Sequence, residues 1–171
     1  MHRRKLIGLA AALPLLSLGG CILPSESSLV RRFRRHRNKF ETLLQMARAE
    51  TQVINVYPNH VRLKDDYGPT DEVRRRYMSD ERLARYNTLL SELHLNIGVA
   101  IYSDMVEFLA ESVGLLSTGE IKGYLWTPKR PGVLVDHIDR YGPRPTFDES
   151  DSVSIYQPIA TNWYVTRSWS I

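Results

Sequence analysis

The chain has 171 residues, with 23 Lys plus Arg against 19 Asp plus Glu, and a single cysteine. That length suits one ordinary domain with an appended segment rather than two domains, and a lone cysteine excludes an internal disulfide framework. Arg3, Arg4 and Lys5 account for most of the positive surplus, so global charge gives no ground for nucleic acid as a partner.

The basic start His2-Arg3-Arg4-Lys5 leads into an apolar run from Leu6 to Leu18, followed by Gly19, Gly20 and Cys21. A basic start, a short apolar stretch and small residues before a cut have the form of a secretory signal. A membrane span needs ~20 apolar residues; this run is shorter and contains Pro14. With cysteine directly after the small residues, Leu18-Gly19-Gly20-Cys21 resembles the lipobox of bacterial lipoproteins. The resemblance implies that residues 1–20 are removed as a signal peptide and that Cys21 becomes the lipidated first residue, with the membrane as partner through that lipid. Ile22 stands where an aspartate would signal inner-membrane retention, so the resemblance further implies an outer-membrane protein facing the periplasm in a Gram-negative host.

Cutting before Cys21 leaves 20 basic and 19 acidic residues. The charge is segregated: residues 22–39 carry net +5 and the chain from Phe40 onward carries −4. The expected organisation is therefore a signal at 1–20, a lipidated tether at 21–28 and a single domain at 29–171.

Ser25-Glu26-Ser27-Ser28 is turn-prone, and Ser28 is a candidate helix N-cap. Leu29, Phe33, Phe40, Leu43, Leu44 and Ala47 recur at helical spacing, which predicts an amphipathic helix over 29–49. The β-branched and aromatic run 53–57, stopped by Pro58, predicts a strand that pairs with 61–64. Thr70-Asp71-Glu72 opens a short helical turn through Tyr77, and Ser79 caps a helix over 80–93 with Asp80 and Glu81 in its first turn. The period then changes to two: 97–101 and 106–110 form a hairpin, 114–120 a loop, and 121–126 another strand. Val133, Leu134, His137 and Ile138 predict a short helix over 133–140. The proline loop through Pro143 and Pro145 and the acidic cluster Asp148, Glu149 and Asp151 predict a solvated connection. The runs 153–159 and 163–169 then form a terminal hairpin. The order favours an α+β fold, a mostly antiparallel sheet with two main helices packed on one face.

Three groups of residues are candidates for function. Arg31, Arg34, Arg35 and Arg37 flank the apolar stripe of the first helix beside the lipidated end, a pattern suited to an anionic membrane surface. Asp136, His137 and Asp139 are the best fragment for metal binding or proton transfer. His36, His60 and His94 are scattered without paired metal-helix spacing, so the expectation is neither metal nor catalytic centre, and the enzyme or metal-binder reading stands second. Trp126, Tyr156, Trp163, Tyr164 and Trp169 suggest a glycan platform as a third reading, which requires Trp163 or Tyr164 exposed beside a groove. Arg74-Arg75-Arg76 follows Asp71-Glu72 and is expected to pair locally. No dinucleotide or phosphate-cradle glycine pattern and no Gly-x-Ser-x-Gly turn occur, so no cofactor is expected.

Lys122-Gly123-Tyr124, the stretch 133–139 and Asn162-Trp163-Tyr164 resemble segments of small bacterial lipoproteins with no established activity. The first reading is thus a lipid-anchored envelope protein that binds a partner or supports an assembly.

Overall fold

The computed structural model describes residues 23–66, 68–115, 118–142 and 153–170. Cys21, the expected signal segment, the expected proline loop and the cluster Asp148, Glu149 and Asp151 lie outside the described residues. Helix α1 spans Glu26–Arg48, followed by β1 (Val53–Tyr57), β2 (His60–Leu63), α2 (Asp71–Tyr77) and α3 (Asp80–Glu92). Strands β3 (Gly98–Ile101), β4 (Val106–Leu115), β5 (Thr118–Trp126) and β6 (Val133–Leu134) come next, then a 3-10 turn (Ile138–Arg140), β7 (Val153–Ala160) and β8 (Trp163–Ser170). Among the described residues, the eight strands belong to one sheet, ordered β2-β1-β3-β4-β5-β8-β7-β6. Every pairing is antiparallel except β6 with β7, so the fold is α+β with a mostly antiparallel sheet.

Register builds the core. Val56, Val99, Phe108, Tyr124 and Val165 are directly paired in sequence across five neighbouring strands. Directly paired residues point to the same side of a sheet, so they form one row, and every member is buried. The stripe Leu29, Phe33, Phe40, Leu43, Leu44 and Ala47 of α1 joins this row in one continuous core, together with Tyr86, Leu89 and Leu90 of α3. Aromatic rings fill the contact: Phe40 meets Tyr124 at 4.6 Å between centroids, and Phe33 meets Trp163 at 5.0 Å. Gly98 and Gly123 are required where strands approach closely, because a Cβ would lie 2.1 Å from the Val56 carbonyl oxygen at the first and 2.2 Å from that of Phe108 at the second.

Three expectations need correction. The helix starts at Glu26 with Ser25 as its cap, so it enters the segment expected as tether, and Ser28 lies inside its first turn. The loop expected over 114–120 shrinks because β4 continues to Leu115 and β5 starts at Thr118; strand pairing supplies hydrogen bonds that glycine composition alone does not reveal. The helix expected over 133–140 is instead the short strand β6 and the 3-10 turn, since Val133 and Leu134 find a parallel partner in Ile155 and Tyr156.

Candidate functional site

Two polar regions gather at the N-terminal half of α1. The first grows out of the sheet. On β5 and β8, Lys122 and Arg167 are paired and lie two positions beyond Tyr124 and Val165, so alternation carries them to the helix-facing side, past the edge of the apolar row. Both are satisfied there. Lys122 Nζ donates to Asp139 Oδ1 at 2.6 Å and to the Pro24 carbonyl at 3.3 Å, while Arg167 forms a two-pronged pair with Glu120 at 2.7 and 3.0 Å. Arg167 also donates to the carbonyls of Ile138 and Tyr141, fixing the 3-10 turn whose Ile138 is buried.

That turn meets the start of α1. The Glu26 N–H donates to Asp139 Oδ2 at 2.7 Å, an anion placed where helix N–H groups lack intrahelical partners. The Glu26 carboxylate lies 2.8 Å from His137 Nδ1 and accepts from Gln157 Nε2 at 2.9 Å. Gln157 pairs with Val165, so the buried row of the sheet ends in this polar group. Burial pushes the Glu26 carboxyl up, but hydrogen bonds from His137, Gln157 and the Asp139 main chain outweigh it and hold the group below its ordinary value. Asp139 follows the same balance: burial raises it, and Lys122 with the Glu26 N–H brings it below the usual range.

Of the predicted trio, His137 and Asp139 enter this cluster while Asp136 is exposed. A shallow depression of about 300 Å3 is lined by Glu26, Ser27, His137, Asp139 and Arg140. Its chemistry is that of a clamp. The Ser27 hydroxyl pairs with that of Ser25 at 3.2 Å. Among the described residues no set of three or more His, Cys, Asp or Glu side chains converges to hold a metal.

The second region is the outer side of α1. At about 100° per residue, Arg31, Arg34 and Arg35 fall opposite the buried stripe and are exposed, as is Arg37, which lies 3.7 Å from Glu41. Arg32, absent from the predicted set, turns toward α3 and donates to the carbonyls of Leu93 and His94 at 3.3 and 3.2 Å. Its cation answers the negative end of that helix.

The remaining candidates are spent on structure. Trp163 and Trp169 are buried, and Trp163 Nε1 donates to Glu41 at 3.1 Å; Trp126 carries the Arg48 guanidinium 4.7 Å above its ring. Tyr156 and Tyr164 are half-buried. Arg74 pairs with Asp71 and Asp80, Arg75 with Asp80 and Arg76 with Glu72, the local pairing expected, although Arg74 is buried rather than solvated.

Sequence reading missed Glu26, Lys122, Gln157 and Arg32. Lys122 alone left a trace, as a charge at a position where alternation points inward beside Tyr124. Among the described residues no helix is long and apolar enough to cross a membrane. Comparison with protein-family models, with curated proteins and with solved structures gives no match for this chain.

Proposed function

We propose that this chain is a lipid-anchored protein of a bacterial envelope, held through a lipid on Cys21, whose domain is a binding or structural module rather than an enzyme. The observation that carries the reading is the position of α1. Its cap Ser25 stands four residues after Cys21, a reach of at most ~14 Å, and its outer side presents Arg31, Arg34, Arg35 and Arg37. A lipid on Cys21 would therefore hold these cations at the headgroup level, where each contributes about 1 kcal/mol toward an anionic surface.

The polar clamp supports the same reading mechanically. Tension on a tether enters the domain at Pro24, whose carbonyl accepts from Lys122, and at Glu26, whose N–H donates to Asp139, and Lys122 and Asp139 are themselves paired. The test is sedimentation of the full chain carrying Cys21→Ala with anionic vesicles, with and without glutamine at positions 31, 34, 35 and 37. Residual binding that falls at least tenfold in the glutamine variant supports the surface role; equal binding by both chains removes it.

A further inference from the structure

Between the first turns of α1 and the C-terminal end of α3 lies a notch of about 340 Å3, lined by Ser28, Arg31, Arg32, Arg35, His36 and His94. The lining consists of a hydroxyl, guanidinium groups and imidazoles, without a carboxylate. We infer that this notch binds a phosphate group, presented either by a small soluble phosphate or by a lipid headgroup. The inference does not rest on lipidation of Cys21, since a free phosphate enters the notch whether or not the chain is anchored.

Arg32 is already oriented by the carbonyls of Leu93 and His94, so the negative end of α3 is neutralised from within. That leaves Arg31 and Arg35 in surplus: neither has a hydrogen bond or ion pair with any described residue. They stand four apart on one helix, where like charges destabilise it. A phosphate shared between them converts that repulsion into charge-assisted hydrogen bonds, and guanidinium forks suit its oxygens. Helix α1 also leaves regular geometry at His36 (φ −116°, ψ 24°), a residue of the notch.

His94 carries the argument furthest. It ends α3 in the left-handed region at φ 50°, with its N–H bonded to the Ser91 carbonyl at 3.1 Å and the Leu95 N–H bonded to the Leu90 carbonyl at 2.9 Å. This is the Schellman arrangement, whose left-handed position usually holds Gly or Asn. Glycine would make the same main-chain bonds without the Cβ penalty. The imidazole makes no hydrogen bond or ion pair with any described residue, yet it lines the notch. A side chain that strains the helix end without serving the fold is accounted for by a ligand.

The test titrates inorganic phosphate into the full-length chain in non-ionic micelles at pH 7, followed by calorimetry. Saturable binding at one site is expected, weakened about tenfold or more by Arg31→Ala and by Arg35→Ala, and unchanged by Arg76→Ala on α2, outside the notch. His94→Gly is expected to weaken binding while raising Tm by ~3 °C, which separates ligand from fold. No saturable binding by the folded wild type, or the same loss with Arg76→Ala as with Arg35→Ala, overturns the inference. So does a stabilised His94→Gly chain that binds phosphate like wild type. Vesicles of phosphatidylcholine with and without phosphatidic acid then identify the source. Competition with phosphate by the phosphatidic acid vesicles alone assigns a headgroup, and phosphate binding without such competition assigns a soluble phosphate; either result keeps the site.

Discussion

Asp139 serves two partners at once, accepting from Lys122 Nζ at 2.6 Å through one oxygen and from the first N–H of α1 at 2.7 Å through the other. Lys122 is nearly inaccessible, with 7% of its side chain exposed, so removing the carboxylate strands a buried cation. Asp139→Asn is expected to cost ~3 kcal/mol, and Lys122→Met added to it to restore part of that loss; urea unfolding of the single and double variants measures both. Glu26 and Asp139 both have pKa values lowered on folding. Their contribution is therefore present above the ordinary carboxylate pKa and lost as pH falls through the folded values, so stability drops below about pH 4. Glu107 has the opposite sign. Burial raises it more than the bond from Tyr102 lowers it, so its charged form is disfavoured in the fold at neutral pH. Glu107→Gln should raise the melting temperature at pH 7 and make no difference at pH 3, where both folded and unfolded carboxyls are protonated.

At the scale of elements, α1 is the piece on which both the core and the clamp depend. Phe40 contacts Phe33, Phe108, Tyr124 and Trp163 through ring faces and edges, and Phe40→Ala should cost 3–5 kcal/mol as a cavity forms among rigid rings (about that range). Tyr124→Phe, which leaves the Leu29 carbonyl without its 3.0 Å donor, should cost ~1 kcal/mol. Periodicity made α1, α3 and both terminal hairpin strands legible, because burial of a stripe or a face writes itself into spacing. The starts of α2 at Thr70-Asp71-Glu72 and of α3 after Ser79 were legible for a local reason, since the short polar side chains of Thr70 and Ser79 accept from the third N–H of each helix, whereas Ser28, the cap expected for α1, gives way to Ser25. What sequence could not show is pairing over distance. Glu26 meets His137 and Gln157 across more than a hundred positions, and neither spacing nor composition encodes that meeting. The stretch 133–140 read as a helix because its apolar residues fall on one side, and its true form depends on the parallel edge offered by β7.

For the molecule as a whole, the charge map and the architecture coincide. The cationic segment forms the outer side of the helix nearest the expected lipid, while the net −4 from Phe40 onward comes from positions outside the described helices and strands. The proposal for Cys21 rests on the ordered features of the preceding segment and needs no fold; the polar cluster at the start of α1 left no comparable motif, because its side chains are drawn from five separate elements. The central claim is that Cys21 anchors this chain, and the direct measurement is intact mass with radiolabelled acyl chains on the cellular protein and its Cys21→Ala variant. The account predicts a mature chain beginning at a diacylated Cys21, labelled and membrane-bound, and an unlabelled variant. A mature chain that begins elsewhere, or equal label in both proteins, would contradict it.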